Sequence, residues 1–292
     1  MTDPFAALLD LPGVADAVNE ARAAVDGLLG HRVLRRRSAE VTAESALRGA
    51  RASADLEGAG MELERLRGQL MNGQQVTVQS KDPRLGQIAA NAVRVHADLG
   101  SLLPSFHSAP RQALARLHVL AAADLGVAAD DLGRPRSGAP VDDPLELGSA
   151  PDPAEVAARV DGLCSLLLAP TTAPAVVVAG VVHGELLALR AFGTADGIVA
   201  RAAARLVLVD RGLDPKAVSA PEVGFAELDA ASRRGAHGHG PVTDHGTYDV
   251  MARGYVTGGP AGVAAWLVHC AQAVALGARE GLAVCEAILR AG

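Results

Sequence analysis

Helical spacing of small apolar residues, repeated from one end of the chain to the other, is what most constrains its fold. Apolar positions recur at i, i+3 and i+4 through "PFAALLDLPGVADAVNEARAAVDGLLG" (4–30), where Gly30 is a natural stop. A second helix is expected in "SAEVTAESALRGARASADLEGAG" (38–60), with Ser38 as N-cap and Gly58 and Gly60 punctuating its end. Further helices are expected at 61–73, 82–105 after Pro83, 108–126, 152–169 with Asp152 or Pro153 as its cap, 174–189 and 197–211, and in several segments from 226 to the C-terminus. Only "QQVTVQS" (74–80) alternates as an extended segment would. That makes about ten helices and at most one short β-hairpin, with no internal repeat and no βαβ unit, so the fold class is all-α. Aromatic residues make up only 2% of a chain that is 49% apolar. Ala, Leu and Val must therefore fill the core, and their small volume suits close packing of helix on helix. The 292 residues suffice for one large domain or two modest ones.

Several function classes are excluded. A net charge of −6 argues against a general nucleic-acid binder, and the run Arg35, Arg36, Arg37 reads as a solvated helix face. Lys81 and Lys216 are the only lysines, a bias toward arginine that reads as the mark of a GC-rich, bacterial genome. Cys164, Cys270 and Cys285 give neither a disulfide framework nor a zinc signature. The N-terminal segment lacks the charged and apolar regions of a signal peptide. The most apolar runs, 174–189 and 261–276, are each shorter than the roughly 20 residues a membrane span needs. The expectation is a soluble, cytoplasmic protein with no membrane partner. G-x-G-x-x-G, G-x-S-x-G, H-E-x-x-H and G-K-[ST] are all absent. His237, His239 and His245, with Asp244 beside them, share one Gly-rich segment, but their spacing matches no closed metal site and reads as a solvent loop. The segment 133–153, dense in Pro, Gly, Asp and Ser, is a long loop of the kind that usually has a use.

The stretch richest in chemistry is "RAFGTADGIVAR" (190–201), a small-residue loop running into a helix. Free N–H groups at a helix N-terminus bind anions. Gly193, Ala195 and Gly197 permit close backbone approach, and Thr194 or Asp196 can cap the new helix. Arg190 before the loop and Arg201 one turn inside the helix would suit a di- or triphosphate. The plainer alternative is a Gly-rich turn between helices with solvated arginines.

Residues 190–201 resemble the Fic (Fido) signature, His-Pro-Phe-x-(Asp/Glu)-Gly-Asn-(Gly/Lys)-Arg-x-x-Arg, without gaps. Phe192, Gly197 and Arg201 stand at its Phe, its second glycine position and its last Arg. His183 in "AGVVHGELLALRAF" sits where Fic proteins often carry a helical His, and "GRPRSGAPV" is similar to the segment leading to their target-docking flap. "SADLEG", Ser53 to Gly58, resembles their inhibitory-helix motif, (Ser/Thr)-x-x-x-Glu-(Gly/Asn). The resemblance implies a Fic/Fido-type helical bundle: an N-terminal helical region with the inhibitory helix at 1–82 and a Fic-like core at 83–292. It also implies an ion pair between Glu57 and Arg201 that blocks productive ATP binding.

The departures fall on the chemistry. The signature's base is Arg190, which stays protonated and cannot accept a proton. The magnesium carboxylate is Thr194, a poor ligand for a hard cation. The signature Asn is Asp196, and its first Arg is Ile198. The expectation is a non-catalytic or regulatory relative of protein adenylyltransferases that still holds a nucleotide phosphate, ATP with magnesium, at 193–201. A second reading is an atypical transferase moving AMP or another phosphate-containing group onto a protein hydroxyl. In that reading Arg190 stabilises transition-state charge, and His183, the target or water supplies the base. A third is a purely structural helical partner. A protein target would dock near 133–150, and Ala-rich faces permit a homodimer.

Overall fold

A computed structural model describes residues 3–138, 141–236 and 246–291. Eleven α-helices follow one another: α1 (Val14–Leu29), α2 (Ser38–Leu56), α3 (Leu63–Met71), α4 (Pro83–Ser108), α5 (Pro110–Ala121), α6 (Pro153–Leu168), α7 (Ala175–Leu189), α8 (Asp196–Asp210), α9 (Pro221–Ala236), α10 (Tyr248–Thr257) and α11 (Gly259–Ala291). Short 3-10 turns occupy Ala6–Asp10 and Arg32–Arg35. No strand forms among the described residues, so the fold is all-α and 74–80 is an irregular connection.

Helices α7 and α8 form the centre. Both are buried along most of their length, as the sequence of α7, "AVVVAGVVHGELLAL", requires of a helix apolar on all sides. The long α11 packs on α1, α7, α9 and α10, while α2 lies across α4, α8 and α9. Small side chains at the contacts, among them Ala200, Ala202, Ala203, Ala271 and Ala273, are fully covered and let the helix axes approach closely. One apolar core runs from Phe5 to Cys285 and draws on both 1–82 and 83–292.

Helix limits differ from the sequence reading where a side chain finds a better partner. Residues 4–30 are not one helix, because Leu11-Pro12-Gly13 separates a 3-10 turn from α1. Ser38 is the first helical residue of α2, with Arg37 at the N-cap and no side-chain cap. Asp152 caps α6, its carboxylate accepting from Ala154 N–H. The last of the C-terminal helical segments, from Gly259 to Ala291, form a single helix, α11. It runs on through Gly277 and Gly281, against which the chain at 218–221 lies. At that length α11 is apolar enough, by length and composition, to cross a membrane, and 61% of its most apolar window is buried inside the fold.

Candidate functional site at the α7–α8 loop

Helix α7 ends at Arg190, whose φ of +43° is left-handed, and α8 begins after Ala195, also left-handed at +58°. Neither Thr194 nor Asp196 caps α8; the N-cap is Ala195, without a side-chain bond. The Asp196 carboxylate turns back instead and accepts from Phe192 N–H at 2.9 Å. Its other oxygen, Oδ2, is buried without a hydrogen-bond partner. Burial pushes this carboxyl up to about 7; Glu57 adds to the rise, and the Phe192 and Gly193 N–H groups and Arg136 pull against it.

The inhibitory-type segment arrives from α2. The helix stops in a Schellman turn: Ala59 N–H reaches back to Ala54 O at 2.8 Å, Gly58 N–H to Asp55 O at 2.9 Å. Gly58 takes the φ of +77° that such a turn demands. Glu57 is thereby held at the last turn with Ser53 one turn behind it on the same face. Arg201 Nη2 donates to Glu57 Oε1 at 2.6 Å and to Ser53 O at 3.0 Å, Nε to Ser53 Oγ at 3.0 Å, and Nη1 to the Tyr248 hydroxyl at 3.2 Å. This arginine is 2% exposed and meets no solvent charge. Glu57 lies so close over α8 that a Cβ at Gly197 would stand 2.1 Å from its Oε1. The carboxylate therefore fills the space above the helix N-terminus, and only glycine fits beneath it.

Arg190 and His183 point elsewhere. The Arg190 guanidinium is buried, donates to Gly148 O at 2.6 Å and Ser149 O at 3.0 Å, and pairs with Asp143 at 3.1 Å. It fastens the 142–149 segment over the loop. Arg136 does the same from the other side: its backbone N–H reaches Ala191 O at 2.8 Å, its Nε reaches Arg190 O at 3.0 Å, and Asp142 N–H reaches Gly193 O at 2.9 Å. His183 bonds the Tyr248 hydroxyl at 2.7 Å and sits in an aromatic nest with Phe225 and Trp266, centroids 5.0 and 4.9 Å away. Burial, with Arg201 and His269 beside it, keeps this imidazole neutral. Phe192 stacks on His118 at 4.3 Å, and Ile198 is fully buried, so both are core residues. Thr194 is half-buried in the loop.

The sequence reading missed Tyr248, Arg136 and Asp143. Tyr248 is one of only two tyrosines, but nothing local marks it; Arg136 and Asp143 lie in the loop already singled out at 133–153. The His237–His245 segment lies outside the described residues. Among the described residues no group of three His, Cys, Asp or Glu side chains could hold a metal ion. A cavity of about 330 Å³ lies beside Glu57, between the 142–147 segment, the start of α4 and the α8 N-terminus.

The donors present do not fit magnesium triphosphate. A carboxylate already stands on the α8 N-terminus, a second faces the cavity from Asp196, and Ile198 offers no charge where a phosphate would lie.

No protein-family model matches the sequence, and neither does any curated protein. Among solved structures, the chain is similar to a Fic family protein from Desulfovibrio desulfuricans G20. The TM-score is 0.68 at 18% identity, over 94% of this chain and 75% of that one. That likeness, over nearly the whole chain, shows the Fic fold.

Proposed function

We propose that this chain is a non-catalytic Fic-fold protein, a regulatory or binding module in which α2 closes the former phosphate cradle with its own glutamate. The observation that carries the reading is the Glu57 carboxylate seated over Gly197 and bonded to buried Arg201. A γ-phosphate at that helix N-terminus would have to displace Glu57 and meet the Asp196 carboxyl as well. The tie of Arg190 to three groups of the 143–149 segment counts against the atypical transferase, because that guanidinium is not free to meet transition-state charge. His183 lies outside the cavity lining, behind Arg201 and Tyr248.

The test is calorimetric titration of ATP with magnesium into wild-type protein and Glu57→Gly, with a label-transfer assay in parallel. Wild type is expected to give no saturable heat and to label nothing, itself included. Saturable ATP binding by wild type, or transfer of label from ATP to a protein, would refute the proposal. Binding that emerges only in Glu57→Gly would identify α2 as a removable brake, and its absence there a permanent closure.

A further inference from the structure

Along α2, Ser45, Gly49, Ser53 and Glu57 recur at every fourth residue and so share one helix face. Ser53 and Glu57 meet Arg201. One turn further along α8, Arg205 meets the other half of that face. Its Nη2 donates to Ser45 Oγ at 2.6 Å and Ser219 O at 2.7 Å, and its Nη1 to Glu222 Oε2 at 3.2 Å. His96 of α4 lies 3.2 Å from the other oxygen of Glu222, and its Nδ1 bonds Ala92 O at 2.8 Å. Arg205, Glu222 and His96 are all buried, so the three form a rigid floor under α2. Gly49 rests on that floor: a Cβ there would stand 2.6 Å from Arg205 Nη1, 2.9 Å from Glu222 Oε2 and 3.2 Å from His96 Cδ2. Such a Cβ would meet both members of the ion pair at once, so the retreat of either one alone would not relieve it. Two glycines therefore let α2 and α8 lie this close, Gly49 on α2 and Gly197 on α8 beneath Glu57.

We propose that Gly49 and the Arg205–Glu222–His96 cluster govern the closure of the cradle from a distance. They set the height of α2 and are positioning residues for Glu57, which lies eight residues on, about 12 Å along the helix. Ordinary contact for a side chain at 49 requires α2 to rise by about 1 Å. The same rise carries Glu57 Oε1 from 2.6 Å to about 3.5 Å from Arg201 Nη2, beyond a hydrogen bond. The cradle thus opens without any change to Glu57, Arg201 or the loop. That height matters to function only if Glu57 closes the cradle, the reading on which this control rests.

The test is amide exchange of the full chain, wild type against Gly49→Ala, read together with the NMR signal of the Arg201 Nε–H, which donates to Ser53 Oγ at 3.0 Å. Exchange at 53–58 should quicken by about tenfold or more, as the loss of one charge-assisted hydrogen bond predicts, and the Arg201 signal should move. Exchange in α1 and α7 should stay as in wild type. Gly68→Ala is the control for the added methyl, since a Cβ there meets nothing within 4 Å, and it should leave 53–58 unchanged. Ser45→Ala removes the Arg205 contact without adding volume and should quicken 53–58 in the same sense, so it decides the matter if Gly49→Ala does not fold. Unchanged exchange at 53–58 with an unmoved Arg201 signal would overturn the proposal. So would quickening spread evenly over α1 and α7, or equal quickening in Gly68→Ala. In those cases the closed-cradle reading stands, because it falls only if wild type binds ATP with magnesium in a calorimetric titration.

Discussion

Replacing Asp196 by Asn should make the protein more stable in a way that depends steeply on pH. In the folded chain burial lifts this carboxyl from an ordinary 3.8 to about 7. An acid whose folded pKa is raised costs nothing at pH below its unfolded value, where both states are protonated. As pH rises through 4 the unfolded chain ionises freely while the folded chain does not, so stability falls until the folded carboxyl ionises near 7. Linkage puts the cost at about 2 kcal/mol at pH 5 and about 4 kcal/mol at pH 8. Asn keeps an oxygen to accept from Phe192 N–H, as Asp196 Oδ1 does at 2.9 Å, and carries no charge at any pH. Its NH₂ replaces the unpartnered Oδ2 and brings a donor with its own desolvation cost, about 1–3 kcal/mol, which does not vary with pH.

The slope is therefore the test, not the absolute value. Urea unfolding of wild type and Asp196→Asn at pH 5, 6, 7 and 8 gives a stability difference at each pH. Other titrating groups appear in both proteins and cancel. The difference should shift in favour of the variant by about 2–3 kcal/mol between pH 5 and pH 8. The groups that face Asp196 are Glu57, Arg136 and the N–H groups of Phe192 and Gly193, so a variant that disturbed Glu57 would flatten the slope. A difference constant across the range would refute the reasoning: the carboxyl would then titrate alike in both states.

Ala195→Gly should raise stability by about 0.5–1 kcal/mol, since a left-handed Ala costs roughly 1–2 kcal/mol and Gly returns part of that gain as unfolded-chain entropy; thermal denaturation reads it. Glu222→Gln should cost about 3–5 kcal/mol by stranding Arg205, since the pair is buried at 3.2 Å with both side chains almost fully covered. Burial alone would raise Glu222, but Arg205 and His96 outweigh it and hold the carboxyl at about 2. Its contribution is present above an unfolded value near 4.5 and lost as pH falls toward 2, so the stability that Arg205→Met loses relative to wild type should be largest near neutral pH and shrink as pH falls, read by urea unfolding at pH 3 to 7. Arg190→His restores the residue type of the family base yet removes the donors on Gly148 O and Ser149 O. Amide exchange at 143–149 should quicken and no AMP transfer should appear; unchanged exchange would show that Arg136 alone secures the segment.

What could be read in advance was whatever a local period or a fixed spacing encodes. Ser53 and Glu57 are one helical turn apart, so their shared face, and with it the contact to Arg201, follows from α2 being a helix. The burial of α7 follows from an apolar run with no polar side. The cap of α8 could not be read, because Asp196 had two nearby choices and the longer reach, back to Phe192 N–H, prevailed. The fate of Arg190 was hidden for a different reason: its acceptors are main-chain oxygens of Gly148 and Ser149, and any residue supplies those. Side chains that bond to backbone across forty residues leave no pattern in the partner's sequence.

Three of the departures from the Fic signature, at Arg190, Asp196 and Ile198, make physical sense as a set rather than as separate losses. Arg190 exchanges a proton acceptor for a clamp that draws the 142–149 segment onto the loop, and the segment's Asp143 balances its charge at 3.1 Å. Ile198 converts the first helical turn of α8 into core, which is fully covered in the fold. With Ile198 in the core and Arg84 and Arg190 paired with Asp142 and Asp143, no arginine lining the cavity is left without a carboxylate. Each change lowers the penalty of the next: an aspartate beside a triphosphate would weaken binding, but beside Glu57 and a clamped segment it leaves an acidic, apolar cavity. Reverting one position alone should therefore not restore nucleotide binding. Ile198→Arg would insert a charge into a fully covered position, and it should unfold the start of α8 before it recruits ATP. Tight ATP binding by that single variant, with Glu57 intact, would mean that the cradle was never rebuilt and that the losses are independent.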